Sequence, residues 1–337
     1  MFHSYATFFK LSWEMGLSDD LAAMPYRVGL PEAKHGKPTP VPVTRDTTEL
    51  WRNRMNFPKF RGVPLTAGLQ VLPTLGSLSG RRKDLCFTDF ERMLDPDDEN
   101  LAEFAIRKGG RQAHEHILQP LASSMTLGQP EDRGAGYELA LFWNNTKGPK
   151  TSQHGVGSLF ERISEKNTDT MHLSKPAHKM VIQNSTAGGV ETKDGFMKTD
   201  AVICATTAAT ALKLMHNLPE GLSRPLSTVT YSGCCHVMFA LQSRLLPQGW
   251  NAVGLPRMFG STMTGSADSS SKSPAYAPAG EGLIHRFTFG RHASELNAKT
   301  DQEVIEILVK DIQRWPPKMP AQPYFTEKYR CHEAVCL

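Results

Sequence analysis

The stretch "DAVICATTAATALKLM", residues 200–215, decides the fold class of this chain. Its apolar run 201–205 is too short to span a membrane and is typical of a strand that is covered on both faces. Small and apolar residues then recur at helical spacing, at Ala208, Ala211, Leu212 and Met215. The stretch therefore predicts a buried strand that runs through a turn into a helix, which is a unit of α/β proteins.

The composition sets limits on domain number and partners. The 337 residues are 39% hydrophobic and 21% charged with a net charge of +4, which predicts one large globular domain or two ordinary ones. The one tight basic cluster, 81–83, has no interleaved aromatic residues, so we expect no nucleic-acid partner. No signal peptide and no apolar run of membrane-spanning length is present, so we expect no integral membrane segment.

The cysteines indicate the redox compartment. The six cysteines have no C-x-x-C spacing, and two of them lie in strongly apolar runs. This usage favours free thiols in a reducing compartment over a disulfide framework, so we expect a cytoplasmic protein.

Helical segments are predicted in the middle and near the end of the chain. Asp95-Pro96 has the pattern of a cap and a first-turn proline, and Leu101, Phe104 and Ala105 form an apolar stripe behind it. Thr300 and Glu303 have the spacing of a capping box, with a stop at Pro316. We expect the middle third to form a helical cap.

Strands are predicted between and after these helices. Three pieces within 171–205 are separated by the turn pairs Gly188-Gly189 and Asp194-Gly195, which predicts a β-meander. The segments "STVTYSGCCHVMFALQSRLL", "GLIHRFTFG" and "YFTEKYR" predict three later strands. Residues 265–280, rich in Ser, Pro, Ala and Gly, predict a mobile surface loop.

Several of these segments together resemble the flavin-containing amine oxidase superfamily, especially its protoporphyrinogen oxidase-like and phytoene desaturase-like members. The resemblance is carried by 155–215, which runs from the glycine turn "GVG" to the "DAVICA" strand and its helix. It extends to "DENLAEFAIRKGGRQAHEHILQPLASSMTLGQPED" at 98–132 and to "EGLIHRFTFGRHASELNAKTDQEVIEILVKDI" at 281–312. These segments cover about two thirds of the chain and occur in the family's order.

The resemblance implies FAD as cofactor. It places Pro176-Ala177 where the family's backbone faces the adenine, and Ala205-Thr206 at the turn that approaches the pyrophosphate. The family's N-terminal G-x-G-x-x-G turn is not in this sequence, which begins "MFHSYATFFKLSWEMGL". We therefore expect this chain to bind FAD weakly or not at all, either because its gene model is clipped at both ends or because the protein has lost its flavin.

Candidate catalytic residues lie on the later strands. On a strand, Cys234, His236 and Met238 share one face. In the resembled family this strand forms the floor of the substrate cavity, which makes His236 a candidate proton donor or acceptor, with a structural role in the core as the alternative. Arg291, together with His285 and Arg286, is a candidate for orienting a carboxylate, the alternative being an ordinary solvated charge.

No metal site is predicted. His114-Glu115-His116 does not have the i, i+4 spacing that places two imidazoles on one helix face.

The fold class that follows is α/β, with an incomplete Rossmann-like FAD-binding sheet plus a β-meander and a helical and strand-built substrate lobe. We expect residues 1–45, 155–215 and 311–337 to form a remnant FAD-binding-type domain. Residues 46–154 and 216–310 are expected to form the substrate or cap domain.

The resemblance implies an FAD-dependent oxidoreductase that acts on a hydrophobic small molecule, in a biosynthetic pathway. A flavin-independent isomerase or cyclase that reuses the apolar cavity and works by orienting its substrate is the alternative. An inactive interaction module is a third interpretation. The sequence does not define an oligomeric state.

Overall fold

The computed structural model describes residues 5–24, 28–31, 38–41, 99–145, 149–183, 186–246, 250–314, 319 and 322–337, with single positions between 66 and 85. Within these residues the chain forms helices and three β-sheets, so the α/β fold class is confirmed. No helix among them is long and apolar enough to cross a membrane.

The described residues form two units, Met1–Phe160 with Ser232–Val335 and Glu161–Tyr231 with Cys336–Leu337. The predicted division into a cofactor-binding and a substrate domain stays a prediction. The strands are β1 (Leu21–Ala23), β2 (Val28–Pro31), β3 (Pro38–Val41), β4 (Lys150–Ser152), β5 (Ala177–Gln183), β6 (Thr186–Thr192), β7 (Gly195–Lys198), β8 (Tyr231–Leu241), β9 (Ala252–Gly254), β10 (Gly265–Asp268), β11 (Gly282–Phe289) and β12 (Phe325–Cys336).

The helices are α1 (Ala6–Glu14), α2 (Leu101–Ala113), α3 (Gln119–Thr126), α4 (Ala135–Asn145), α5 (Gly157–Lys166), α6 (Ala208–Leu214), α7 (Glu220–Thr228), α8 (Gly290–Asn297) and α9 (Asp301–Ile312). A π-helical turn, His114–Leu118, joins α2 to α3. Short 3₁₀ turns lie at Ser18–Asp20, Pro130–Asp132, Arg257–Phe259 and Pro274–Tyr276.

A seven-stranded sheet in the larger unit has the order β12-β8-β11-β10-β9-β2-β3. Strands β8, β11, β10 and β9 pair antiparallel, and β2 pairs parallel with β9. Because side chains alternate across a strand, the register of β8 with β11 determines which residues share a face. The three later strands predicted from sequence are confirmed as β8, β11 and β12.

One face of this sheet packs against α9. On β8 the alternate residues Cys235, Val237 and Phe239 are at most 1% exposed and belong to the main apolar core. Helix α9 contributes its own apolar stripe to the same core through Val304, Leu308 and Ile312. The predicted capping box of Thr300 and Glu303 is confirmed at the start of this helix, while Pro316 lies outside the described residues.

The predicted helices of the middle third are confirmed. Asn100 caps α2 in a capping box with Glu103, and Leu101, Phe104 and Ala105 are buried. The Asp95-Pro96 signal lies outside the described residues.

Arg257, which follows β9, forms hydrogen bonds with this helical region. Its guanidinium donates to Glu115 Oε1 at 2.7 Å and to Glu131 Oε1 at 2.8 Å, and its N–H donates to Gln119 Oε1 at 3.0 Å. The two carboxylates raise the pKa of Arg257, and Arg257 lowers that of Glu115. A half-buried guanidinium that engages two carboxylates gives a more defined geometry than an exposed ion pair.

The buried strand predicted at 201–205 is wrong. These residues form no strand, and Ile203 is 94% exposed. A strand needs a neighbour for its backbone N–H and C=O groups, and in the part of the chain that the structure describes nothing pairs with this segment. The helix predicted after it is confirmed as α6, with Thr207 Oγ1 accepting from the Thr210 N–H at 3.3 Å.

The predicted β-meander is confirmed as β5, β6 and β7, but one of its turns is wrong. Gly188 and Gly189 lie inside β6 instead of at its start. Gly189 has a φ of +150°, and a Cβ there would lie 2.2 Å from the Met197 carbonyl oxygen, so the glycine permits the close approach of β7.

The loop predicted at 265–280 is corrected for its first part. Gly265–Asp268 forms β10 between β9 and β11, and Ser269 and Ser270 are buried. The hydroxyl groups of Ser270 and Ser271 donate hydrogen bonds to Asp268. Composition alone does not predict such specific hydrogen bonds, so it indicates a loop for this segment. The mobility of the segment stays a prediction.

We expect Phe239→Ala to lower the free energy of unfolding by about 3–5 kcal/mol, because it removes a fully buried ring from the core. Phe160→Ala, at a position 63% exposed, is the matched control and is expected to change it by less than about 0.5 kcal/mol. Urea unfolding followed by circular dichroism measures both. Equal effects of the two substitutions would contradict this packing.

Candidate functional site

The second face of β8 and β11 carries a mixed set of apolar and imidazole side chains. Directly opposed residues lie on the same face, and the register pairs Met238 with His285 and His236 with Phe287. We call this the histidine face; its half-buried members are His236, Met238, Leu283, His285 and Phe287. It lies opposite the face that packs against α9, so it is free of that core.

Two histidines and a serine form a hydrogen-bonded chain across this face. His236 Nε2 lies 2.8 Å from His285 Nδ1, and the two rings stack with centroids 4.9 Å apart. His285 Nε2 lies 2.7 Å from the hydroxyl oxygen of Ser269, which follows β10 directly. Three neighbouring strands therefore position the three groups.

The surroundings keep these imidazoles neutral. Burial lowers the pKa of His285 to about 3, with further contributions from His236 and Lys272. Burial also lowers the pKa of His236, and the positive charge of Lys272 adds to this effect. On the other side of His236 the ring of Tyr329 from β12 stacks at 5.7 Å. Lys272 is itself largely buried, which lowers its pKa, while Asp268 opposes that shift.

The hydrogen bonds that join His236, His285 and Ser269 can run in either of two directions. In one, His285 donates through Nδ1 to His236 and accepts at Nε2 from the Ser269 hydroxyl. In the other, His236 donates to His285, which donates to Ser269. Both directions use one proton for each neutral imidazole. In the second direction the Nδ1 of His236 carries no proton, so His236 is able to take up a proton there while its Nε2–H donates to His285.

The predicted catalytic residues do not all lie at the same site in the structure. His236 lies in the hydrogen-bonded chain, and His285, predicted from sequence as a candidate for orienting a carboxylate, lies beside it. Arg291 lies on α8 with its side chain 82% exposed, and its Nε is 3.7 Å from Glu295 Oε1. Among the described residues no contact joins Arg291 to His236, and its catalytic role stays a prediction. Arg286 is buried on the opposite face of the sheet.

Sequence reasoning missed Ser269, Lys272 and Tyr329. Ser269 and Lys272 fall in the segment assigned to a loop on its composition, and no periodicity there indicates a site. Tyr329 lies on a strand that was predicted, but its position beside His236 depends on the pairing of β12 with β8, which a single sequence does not reveal.

The predicted cofactor residues belong to the smaller unit. Pro176-Ala177 leads into β5, where Ala177 lines a surface groove of about 520 Å³ together with Val190, Met197 and the segment 201–203. Two lysines, Lys175 and Lys198, also line it. Apolar walls with a few polar groups are typical of small-molecule sites, and the binding of adenine here stays a prediction.

The phosphate end of FAD has no corresponding fit among the described residues. Ala205 and Thr206 are exposed, and the first amide of α6, at Ala208, already donates to the Tyr231 hydroxyl at 2.8 Å. The amide of Thr210 donates to Thr207 Oγ1 at 3.3 Å. A pyrophosphate needs several unpartnered N–H groups. Two of the N–H groups at the start of α6 are therefore already engaged, and the role of Pro176-Ala177 and Ala205-Thr206 in FAD binding stays a prediction.

No group of three or more His, Cys, Asp or Glu residues suited to a metal ion occurs in the described parts of the chain. The buried His114, the first residue of the His114-Glu115-His116 motif, instead has its Nε2 3.8 Å from carboxylate oxygens of Glu115 and Glu131.

Comparison with known proteins gives a family and a fold. A family model described as flavin containing amine oxidoreductase matches residues 1–331. A putative protoporphyrinogen oxidase from Exiguobacterium sp. 255-15 is 14% identical with a TM-score of 0.69, over 98% of this chain and 74% of that chain. An oxidoreductase from Methanosarcina mazei is 14% identical with a TM-score of 0.70, over 98% and 74%.

Putrescine oxidase bound to putrescine is also similar, at 14% identity and a TM-score of 0.63, over 97% of this chain and 72% of that chain. These identities are low, so the structural likeness shows the fold. The comparison with curated proteins gives no match.

The lowered pKa of His285 predicts acid sensitivity. Below its ordinary value of 6.5 the unfolded chain binds a proton that folded His285 does not bind until about pH 3. Stability therefore falls as the pH drops through this window, by at most about 1.4 kcal/mol per pH unit.

We expect His285→Gln to reduce that slope, and His292→Gln, at a position 42% exposed on α8, to leave it unchanged. Urea unfolding at a series of pH values measures it. An unchanged slope in His285→Gln would show that His285 titrates normally.

Proposed function

The chain belongs to the flavin containing amine oxidoreductases, and on that premise we propose that it is an FAD-dependent oxidoreductase whose substrate is a hydrophobic small molecule bound against the histidine face. The observation that carries this proposal is the hydrogen-bonded chain His236–His285–Ser269 on a half-buried, largely apolar surface. A few convergent polar groups in apolar surroundings are typical of small-molecule sites.

The apolar members of the face suit an apolar substrate. Met238, Leu283 and Phe287 are half-buried on the same side as the two histidines, so a ligand that covers them removes apolar surface from water. The same ligand excludes water from the imidazole pair. Desolvation strengthens the hydrogen bonds within the pair because the local dielectric constant falls.

Oxidation of a C–H or C–N bond releases a proton along with two electrons. His236 is proposed to accept this proton at Nδ1, the ring nitrogen that does not engage His285, and to become an imidazolium whose Nε2–H donates to His285 Nδ1. The low pKa of His236 keeps it neutral and able to accept. Tyr329 holds the ring plane by stacking, so it acts as a positioning residue.

FAD, when bound, would supply the electron acceptor for this reaction. The groove beside Ala177 is proposed to take its adenine ring, and the described residues leave the phosphates without a cradle. We therefore expect weak binding by this chain. A place in a biosynthetic pathway and a cytoplasmic location remain proposals, and no observation favours the flavin-free isomerase or cyclase.

The test uses the full chain with FAD in excess under nitrogen, with loss of flavin absorbance as the measure of reduction. Protoporphyrinogen represents an apolar substrate and putrescine a polar one. We expect reduction with protoporphyrinogen and not with putrescine. Reduction with putrescine alone overturns the apolar substrate class, and reduction with neither, at saturating FAD, overturns the oxidoreductase assignment.

His236→Ala is expected to slow flavin reduction at least about tenfold, because it removes the proton acceptor. His292→Ala is the matched control, since it removes an imidazole from α8 outside the histidine face. An equal rate in wild type and His236→Ala would return His236 to a structural role.

A further inference from the structure

One cysteine lies on each of the neighbouring strands β8 and β12. The ring of His236 on β8 stacks on Tyr329 of β12 at 5.7 Å, so these two residues are neighbours across the strands. The strands run antiparallel, since the Tyr324 N–H donates to the Ala240 carbonyl and the Leu337 N–H to the Thr230 carbonyl. Cys234 lies two residues before His236 on β8, and Cys331 lies two residues after Tyr329 on β12.

The same register is supported from the opposite face. Lys328 and Arg330, which alternate with Tyr329 and Cys331, bind Asp301 at the start of α9, on the core side of the sheet. Tyr329 and Cys331 therefore point to the other side, where Cys234 and His236 lie. At Gly233, a Cβ would lie 3.4 Å from the Cys331 carbonyl oxygen, so the two backbones are in contact at this point.

Directly opposed residues of antiparallel strands have Cα atoms about 4.5 or 5.5 Å apart. A disulfide joins Cα atoms about 4.4–6.8 Å apart, and both of these strand spacings lie within that range. Both cysteines are free thiols.

The two thiols differ in access. Cys331 is exposed on the edge strand, whereas Cys234 is 7% exposed. Burial raises the pKa of Cys234 to about 12, and the nearby Cys331 adds to this effect. Cys331 is therefore the thiol that meets a soluble oxidant, and Cys234 is the thiol positioned to resolve the product.

We propose that Cys234 and Cys331 form a reversible disulfide across β8 and β12 when the protein meets a hydroperoxide. The Cys331 thiol first attacks the peroxide, which breaks the O–O bond and gives a sulfenic acid and water. The sulfur of Cys234 then attacks the sulfenic sulfur while its thiol proton passes to the leaving hydroxyl group, so an S–S bond forms and a second water leaves. Two thiols lose two hydrogens and two electrons, and the hydrogen peroxide is reduced to two waters.

The bond fixes β12 beside the histidine face. Tyr329 lies between the bridged position and the end of the strand, so the disulfide holds its ring on His236. As an edge strand, β12 is hydrogen-bonded to the sheet through β8 alone in the described structure, and a covalent link limits its fraying.

The test treats the full chain with hydrogen peroxide and then blocks the remaining thiols with iodoacetamide. Mass spectrometry of a non-reduced digest is expected to show a loss of two hydrogens and one linked pair of peptides, one with Cys234 and the other with Cys331. Dithiothreitol is expected to restore both thiols. Each of these peptides also contains a second cysteine, Cys235 or Cys336, so variants make the assignment.

Cys235→Ala and Cys336→Ala are the matched controls and are expected to keep the link, whereas Cys234→Ala and Cys331→Ala lose it. Circular dichroism of each variant shows whether it is folded. A link that persists without Cys331, or oxidation of the wild type only to sulfinic acid at Cys331, would overturn the proposal.

Discussion

The antiparallel register of β8 against β11 is the constraint on which the remaining structure depends. It places Cys235, Val237 and Phe239 on the side of α9, where they are at most 1% exposed. The alternate residues are thereby committed to the other side, which brings His236 and His285 within hydrogen-bonding distance. A slip of one residue would exchange the two faces, burying the imidazoles in the core and exposing the apolar set. Core packing and the candidate site therefore have the same cause.

The imidazole chain is stable because its members satisfy one another. A polar group removed from water costs free energy unless it finds a partner. His285 uses both ring nitrogens, one with His236 and one with Ser269, and remains neutral because burial and the positive charge of Lys272 oppose protonation. A neutral pair with two available hydrogen-bonding directions suits proton transfer better than a fixed charge does. The face around it is apolar, which matches a hydrophobic ligand.

Much of the larger unit was predictable from sequence, and the reasons are local. The alternation in "GCCHVMFAL" predicts β8 and its two faces, and the capping box at Thr300 predicts the start of α9. Residues 201–205 show the limit of that reasoning: the apolar run has the composition of a buried strand, but a strand exists only beside a neighbour. The serine-rich segment shows the opposite error, since its composition predicted a loop. Its hydroxyl groups donate to Asp268, and Ser269 lies beside His285. The face that His236 shares with Met238 was predictable because strand periodicity is local, whereas the position of Tyr329 beside His236 depends on a pairing between distant segments.

The central claim is that His236 and His285 form one hydrogen-bonded unit that stays neutral. Nitrogen-15 NMR of the histidine-labelled full chain, recorded from pH 8 to about pH 4, tests it most directly. We expect His285 to keep the shifts of a neutral imidazole throughout, well below its ordinary pKa of 6.5, and His236→Ala to change those shifts. Titration of His285 near 6.5, with no response to His236→Ala, would contradict the account.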